Sequence, residues 1–302
     1  MLQTLLLTGG SAGDAGDRSA EEAAVARMVA DIMNRLPAAF DIEKAQLKYP
    51  VLYEESMNQV LCQEMLRYNK LTSIIRTSLK GLDKALQGLQ VMSAELEGVY
   101  KAMVIGAVPA LWKAKSFPSL KSLSGYVDEL LARLNMLQTW YMDGQPPCYW
   151  ISGFFFTPAF TTASLQNFAR KNKLPIDAVA FDMEMLTTAP EAITEAPADG
   201  IYIHGLYLEG CGWSMNDMVL CESLPKQLYC PAPAIWLKPK EMKDLTTYPH
   251  YSTPVYRTAD RRGILATTGH STNFLMFIRM PSEKPEEHWT MRGVCMLSSL
   301  PD

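Results

Sequence analysis

The 302-residue sequence is poor in the short signatures that announce catalysis. It contains no G-x-G-x-x-G and no G-x-x-x-x-G-K-[ST], the spacings that let backbone amides cradle phosphate. Gly9, Gly10, Gly13 and Gly16 crowd the start, but no lysine follows them, and Asp14 and Asp17 would repel phosphate, so residues 1–20 read as a flexible linker. There is no H-E-x-x-H. The six cysteines (Cys62, Cys148, Cys211, Cys221, Cys230, Cys295) form no C-x-x-C pair and no zinc spacing with histidine, and read as scattered reduced thiols. Charge of one sign is also lacking. A net charge of −4 gives no general attraction to nucleic acid or to acidic lipid. No uncharged run reaches the ~20 apolar residues of a membrane helix. The nearest, "CYWISGFFFTPAF" at 148–160, is short and carries Pro158, while the opening "LQTLLL" is too short for a signal-peptide core.

What is present is an ordinary globular composition, 48% hydrophobic and 20% charged, with 18 methionines to fill irregular gaps. The first half reads as helix. A helical pattern from Glu21 to about Leu36 is stopped by Pro37, and a short one in "FDIEKAQLKYP" by Pro50. Leu71, Ile75, Leu79, Leu82, Leu86, Leu89, Met92, Leu96, Val99 and Met103 step by three or four residues. That predicts one long helix or two nearly collinear ones, with Gly81, Gly88 and Gly98 as sites of bending or close approach. A last helix is predicted from about Leu123 to Met142, ended by Asp143-Gly144. Beyond Gly144 the apolar segments shorten, and strands are predicted near 148–156, 178–186, 200–209, 218–222, 233–238, 253–258, 273–280 and 291–298. A helix at about 158–172 separates the first two. The fold class is α+β: a helical bundle over 21–145, then a small antiparallel β-barrel over 146–302. The aromatic run is expected to be a buried strand ending near Thr157, with Pro158 opening the helix.

Three groups are candidates for chemistry. Asp182 and Glu184 in "FDMEM" would share one face of a strand, roughly 6–7 Å apart at Cα, a separation reminiscent of a glycosidase pair. With His270 of "TTGHSTN" they make the only hydrolase the residues suggest. The plainer reading of "FDMEM" is a half-buried strand with Phe181, Met183 and Met185 inward. Arg257, Arg261 and Arg262 form a small basic cluster, a solvated turn or a candidate interaction surface for an acidic partner. The six tryptophans read as core or interface anchors.

Longer stretches carry a resemblance. "FDIEKAQLKYPVLYEESMNQVLCQEMLRYNKL", "WISGFFFTPAFTTASLQNFARKNKLPID", "GIYIHGLYLEGCGW" and "RRGILATTGHSTNF" through "PEEHWTMRGV" occur in unbroken order and resemble the end of dynein heavy chains, in wording more axonemal than cytoplasmic. The resemblance implies a helical bundle followed by a small β-barrel, lying on the AAA+ ring of an ATP-driven, minus-end-directed microtubule motor. It implies no catalytic residue, cofactor or metal in this stretch, ATP and Mg²⁺ belonging to nucleotide sites upstream. Met1 is then a start inside a longer chain. The implied partners are the AAA+ modules of the same heavy chain and, through the parent complex, microtubules and light and intermediate chains. No nucleic acid or membrane is implied, and the implied place is the cytoskeleton of a cilium or flagellum. A scaffold that docks accessory chains is the alternative interaction role.

Overall fold

The computed structural model describes residues 14–261 and 270–302, with side chains from Ala20 onward. Residues 1–13 of the expected linker lie outside the described residues, and from Asp14 the chain is helical. The described helices are α1 (Asp14–Arg35), α2 (Ile42–Lys48), α3 (Ser56–Leu86), α4 (Ala94–Val104), α5 (Ala110–Lys113), α6 (Leu123–Asp143), α7 (Thr157–Lys171) and α8 (Glu286–Met291). The strands are β1 (Cys148–Trp150), β2 (Val179–Met185), β3 (Ile201–His204), β4 (Tyr207–Glu209), β5 (Gly212–Ser214), β6 (Val219–Cys221), β7 (Tyr229–Pro231), β8 (Ile235–Glu241), β9 (His250–Tyr256), β10 (Phe274–Pro281) and β11 (Cys295–Leu297). The class is α+β as expected.

The chain divides into two compact units. One comprises the residues up to Ala39, Lys70–Ser116 and Ser122–Leu131; the other comprises Phe40–Asn69, Phe117–Lys121 and Ala132–Asp302. The division cuts α3 and α6, so it does not follow the expected boundary at 145.

In the first unit, the apolar stripe is two helices rather than one. Gly88 adopts a left-handed φ of 72°, Gly88 N donates to Ala85 O and Leu89 N to Lys84 O, a glycine-terminated helix end. Leu89 and Met92 consequently leave the stripe and are exposed. Ser93 then caps α4, its hydroxyl accepting from Leu96 N at 3.3 Å. The two helices are not collinear. Leu96 returns against Gly81, where a Cβ would meet its methyl at 3.2 Å, so the close approach lies at Gly81. Trp112, fully buried, donates its indole N–H to Ser78 Oγ at 2.9 Å, and Ser78 donates on to Ile75 O.

In the second unit the expected barrel is not formed. The strands make three open sheets, in the orders β1-β3-β8-β2, β10-β9-β11-β4-β7 and β5-β6. Two pairings are parallel, β1 with β3 and β11 with β9. The reason begins at Gly205. Its φ of 90° breaks the single strand expected over 200–209 and sends β3 and β4 into different sheets. A Cβ there would sit 2.3 Å from the Trp150 ring, so only glycine fits. The outer edge of β2 is covered by side chains instead of a further strand. Arg279 Nη2 donates to Phe181 O at 3.3 Å, and the Tyr248 hydroxyl to Met183 O at 3.2 Å.

The aromatic run is also not the expected long strand. β1 ends at Trp150, Ile151–Gly153 is a 3₁₀ turn, Phe154 is extended, the chain bends at Phe155 and Phe156, and α7 starts at Thr157 with Pro158 in its first turn. Ser152 Oγ donates to Gly205 O at 2.6 Å, and Tyr68 OH to Gly153 O at 2.9 Å, which takes these carbonyls out of any ladder. Phe154 is 3% exposed and stacks on Phe160 at 4.1 Å between ring centroids, whereas Phe155 is half-buried and Phe156 is 42% exposed. Of the strand expected at 291–298 only Cys295–Leu297 forms, as β11, because α8 runs to Met291 and the chain turns at Arg292 and Gly293, the latter at a φ of 65°.

Candidate interaction site

The residues that could have made a hydrolase are not brought together. Asp182 on β2 is buried among partners: Oδ2 accepts from Lys240 Nζ and from Thr246 Oγ1, each at 2.6 Å, and Oδ1 from Arg279 Nη2 at 3.0 Å. Burial pushes this carboxyl up, but the hydrogen bonds from Lys240 and Thr246 and the charges of Lys240 and Arg279 outweigh it and hold it below the usual range. It is a saturated, ionised group. Glu184 is exposed, opposite Trp236 on β8. His270 stacks on Phe274 at 4.3 Å. It also meets the Phe277 ring at 5.9 Å. Phe181 and Met183 are half-buried rather than inward, because Asp182 takes the buried position between them.

Of the basic cluster, Arg257 and Arg261 are described, and they bind different partners. Arg257 is half-buried: its Nη1 donates to Phe155 O at 3.4 Å, and its buried Nε has no partner. Burial, and then the like charge of Arg133, lower its pKa against the pull of Glu64. Arg261 pairs with Glu209 and donates to Gly293 O at 2.9 Å. Arg262 lies outside the described residues.

Sequence reasoning missed the group that organises the aromatic turn. Glu64, on α3, is 0% exposed. Its Oε2 accepts from Phe155 N at 2.5 Å, and its Oε1 from Phe156 N at 3.1 Å and from Arg67 Nη1 at 3.0 Å. These are the orphan N–H groups just ahead of α7, which has no side-chain cap of its own. Desolvation dominates, so the Glu64 carboxyl is raised from its ordinary range despite those donors. Arg133 completes the clamp, donating to Phe154 O at 3.4 Å with its guanidinium 3.8 Å from the Phe117 ring centre. The signal was available: Met57, Val60, Leu61, Glu64, Met65 and Tyr68 share helical spacing, and an acid on such a stripe must be paired.

A cavity of about 630 Å³ opens beside α7. One face of that helix, Ser164, Asn167, Phe168 and Lys171, lines it, with Tyr149 and Ile201 at its base. Neither this cavity nor a second, of about 390 Å³ between α3 and α4, contains Asp182, Glu184 or His270. Among the described residues no group of three His, Cys, Asp or Glu is placed to hold a metal, and no helix is long and apolar enough to cross a membrane. All six cysteines are free.

The family model for the C-terminal domain of dynein heavy chains matches residues 1–298. The chain is 48% identical over 301 residues to dynein axonemal heavy chain 3 of Homo sapiens, covering 99% of this chain and 7% of that protein. It is 44% identical over 302 residues to dynein axonemal heavy chain 12 of Homo sapiens, covering 100% of this chain and 10% of that protein. With dynein axonemal heavy chain 1 of Rattus norvegicus it shares 47% over 285 residues, 94% of this chain and 6% of that protein. It thus spans a tenth or less of the relatives it matches, and with the family model matching residues 1–298 the chain belongs to the family of C-terminal domains of dynein heavy chains.

Proposed function

We propose that this chain is a non-catalytic brace of an axonemal, ATP-driven, minus-end-directed microtubule motor, packing on the AAA+ ring modules of its own heavy chain in a cilium or flagellum. The observation that carries the reading is the end-to-end match of residues 1–298 to a C-terminal domain whose relatives are axonemal heavy chains ten or more times longer. ATP turnover, microtubule binding and the light and intermediate chains belong, on this reading, to the parent molecule. The site chemistry is in keeping with it. Glu64 and Arg133 hold the backbone of the Phe154–Phe156 turn, and Asp182 is taken up by Lys240, Thr246 and Arg279. A brace of this kind biases a motor only by binding one ring conformation better than another, and its effect is limited to that difference.

The test is a point change in the full heavy chain. Glu64→Gln loosens the turn and should leave nucleotide affinity unchanged, while lowering microtubule gliding velocity relative to ATP turnover. Loss of nucleotide affinity, or an unaltered ratio of velocity to turnover, would overturn the proposal.

A further inference from the structure

We propose that Cys221 and Cys230 are a thiol–disulfide exchange pair, oxidised to a bridge by low-molecular-weight disulfides and reopened by the corresponding thiols. The proposal stands apart from the reading of the domain as a brace, and neither depends on the other.

The strand register brings the thiols together. Four of the six cysteines meet the five consecutive residues 208–212. Cys230 on β7 lies opposite Leu208, and Cys295 on β11 lies opposite Glu209. Cys211 is itself in the stretch, and Cys221 on β6 lies opposite Gly212. Five residues reach about 18 Å when fully extended. Here Gly210, at a φ of 82°, turns the chain between β4 and β5 and shortens that span. β5 pairs with β6 and also packs against β7, so the strands that carry Cys221 and Cys230 both border it. Gly212 makes room for the first of these sulfurs: a Cβ at 212 would lie 3.1 Å from Cys221 Sγ. The thiols also act on one another. After burial, the charge of Cys230 is the largest influence raising the thiols of both Cys211 and Cys221.

Exposure then selects the pair. Exchange needs a thiolate that a reagent can reach. Cys211 is 2% exposed and Cys295 1%, and burial pushes both thiols up to about 12. Cys295 also donates its S–H to Glu209 Oε2 at 3.4 Å. Cys221 and Cys230 are half-buried and reach solvent, and β7 is the edge strand of its sheet. They lie nine residues apart, the shortest separation in the cluster, with the exposed residues 222–226 between them. A short loop costs little chain entropy to close. Outside the cluster, Cys62 is buried, and burial followed by the charge of Glu191 pushes the Cys148 thiol up to about 12.

The chemistry is balanced by the small disulfide. One of the two cysteines attacks, as thiolate, a sulfur of that molecule; its S–S bond breaks, and one small thiolate leaves with the electron pair. The other cysteine gives its proton to water and attacks the protein sulfur of the mixed disulfide, and the second small thiolate leaves. Two protein thiols are oxidised and one small disulfide is reduced to two thiols. The new bond joins β6, in the two-stranded sheet, to β7, at the edge of the five-stranded sheet.

The test uses the full heavy chain in its native state. It is equilibrated with glutathione and glutathione disulfide over a range of ratios, quenched with N-ethylmaleimide, and digested without reduction. Trypsin cuts after Lys226, so a bridge appears in mass spectrometry as two linked peptides. The expected result is a Cys221–Cys230 link, told from Cys211 by fragmentation, that rises with glutathione disulfide and vanishes in excess glutathione. Before oxidation, maleimide should label Cys221 and Cys230 at least about tenfold faster than Cys211 and Cys295. Cys211→Ser should keep the link, and Cys221→Ser should leave Cys230 as a glutathione mixed disulfide. A link from Cys230 to Cys211 instead overturns the proposal. So do mixed disulfides at both positions of the wild type without a link, no oxidation at either, or equal labelling of all four thiols.

Discussion

Two buried carboxylates in the second unit behave in opposite ways. Glu64 sits on a helix with one cation and two main-chain N–H groups for company, fully out of solvent, and its pKa is raised. Asp182 sits on a strand with two cations and a hydroxyl, keeps some contact with solvent, and its pKa is lowered. Neutral N–H donors do not offset complete desolvation, whereas two cations offset a partial one. The division of labour follows. Glu64 holds backbone and fixes the direction in which α7 leaves the aromatic turn. Asp182 holds side chains, joining β8 through Lys240 to β10 through Arg279, and so ties one sheet to the next.

The comparison is tested most severely at Glu64. Glu64→Ala leaves two N–H groups and a guanidinium without their acceptor and should cost about 3–5 kcal/mol in chemical denaturation. Glu64→Gln retains one carbonyl acceptor and should cost distinctly less. Equal losses in the two variants would mean that the backbone donors contribute nothing and that only the volume of the side chain matters. Phe154→Ala should cost a similar ~3–5 kcal/mol, because that ring is enclosed against Phe160, Tyr149 and Trp140. The half-buried Phe155 should cost less, and a reversed order would refute the packing described for the turn.

Asp182→Asn should cost about 1–3 kcal/mol, the range for hydrogen bonds to charged groups. Its sharper signature is the pH dependence. Asp182 is lowered from 3.8, so its contribution is present above that value and is lost as pH falls through the folded-state pKa. Glu64 is raised from 4.5, so the folded state holds its proton more tightly; its contribution is complete below that value and is lost as pH rises through the folded-state pKa. On acidification the stability gap between wild type and Asp182→Asn should therefore narrow, and the gap between wild type and Glu64→Gln should shift in favour of wild type. Slopes of the same sign would end the contrast between the two sites.

Much of the helical half was legible because periodicity and stop signals act locally. Gly144, at φ 100°, ends α6 where Asp143-Gly144 promised, and Asp41 caps α2 by accepting from Lys44 N at 3.1 Å. What was not legible depends on groups distant in sequence. Whether "CYWISGFFF" runs on as a strand is decided by Tyr68, Glu64 and the carbonyl of Gly205, none of which the run itself reveals. The barrel failed for the same reason, since one glycine at 205 divides what reads as a single alternating strand. Among the candidate site residues, Asp182 reads in sequence as half of a carboxylate pair with Glu184, because its partners Lys240 and Arg279 lie 58 and 97 residues away. The α7 groove was not foreseen, because a face built from Ser164, Asn167 and Lys171 looks in sequence like the wet side of a helix.

The smallest expected effect lies at Phe156, where the two halves of the clamp argument separate. Its main-chain N–H is bound by Glu64, but its ring is 42% exposed and touches mainly the Arg67 guanidinium, 5.3 Å from the ring centre. Phe156→Ala keeps the backbone bond and loses an exposed cation–π contact, so it should cost about 0.5–1 kcal/mol. Phe156→Pro keeps an apolar side chain and removes the N–H that Glu64 accepts, and should cost more than Phe156→Ala. Denaturation midpoints in that order would place the contribution of this residue in its main chain, whereas the opposite order would place it in the ring and remove Glu64 from control of the turn.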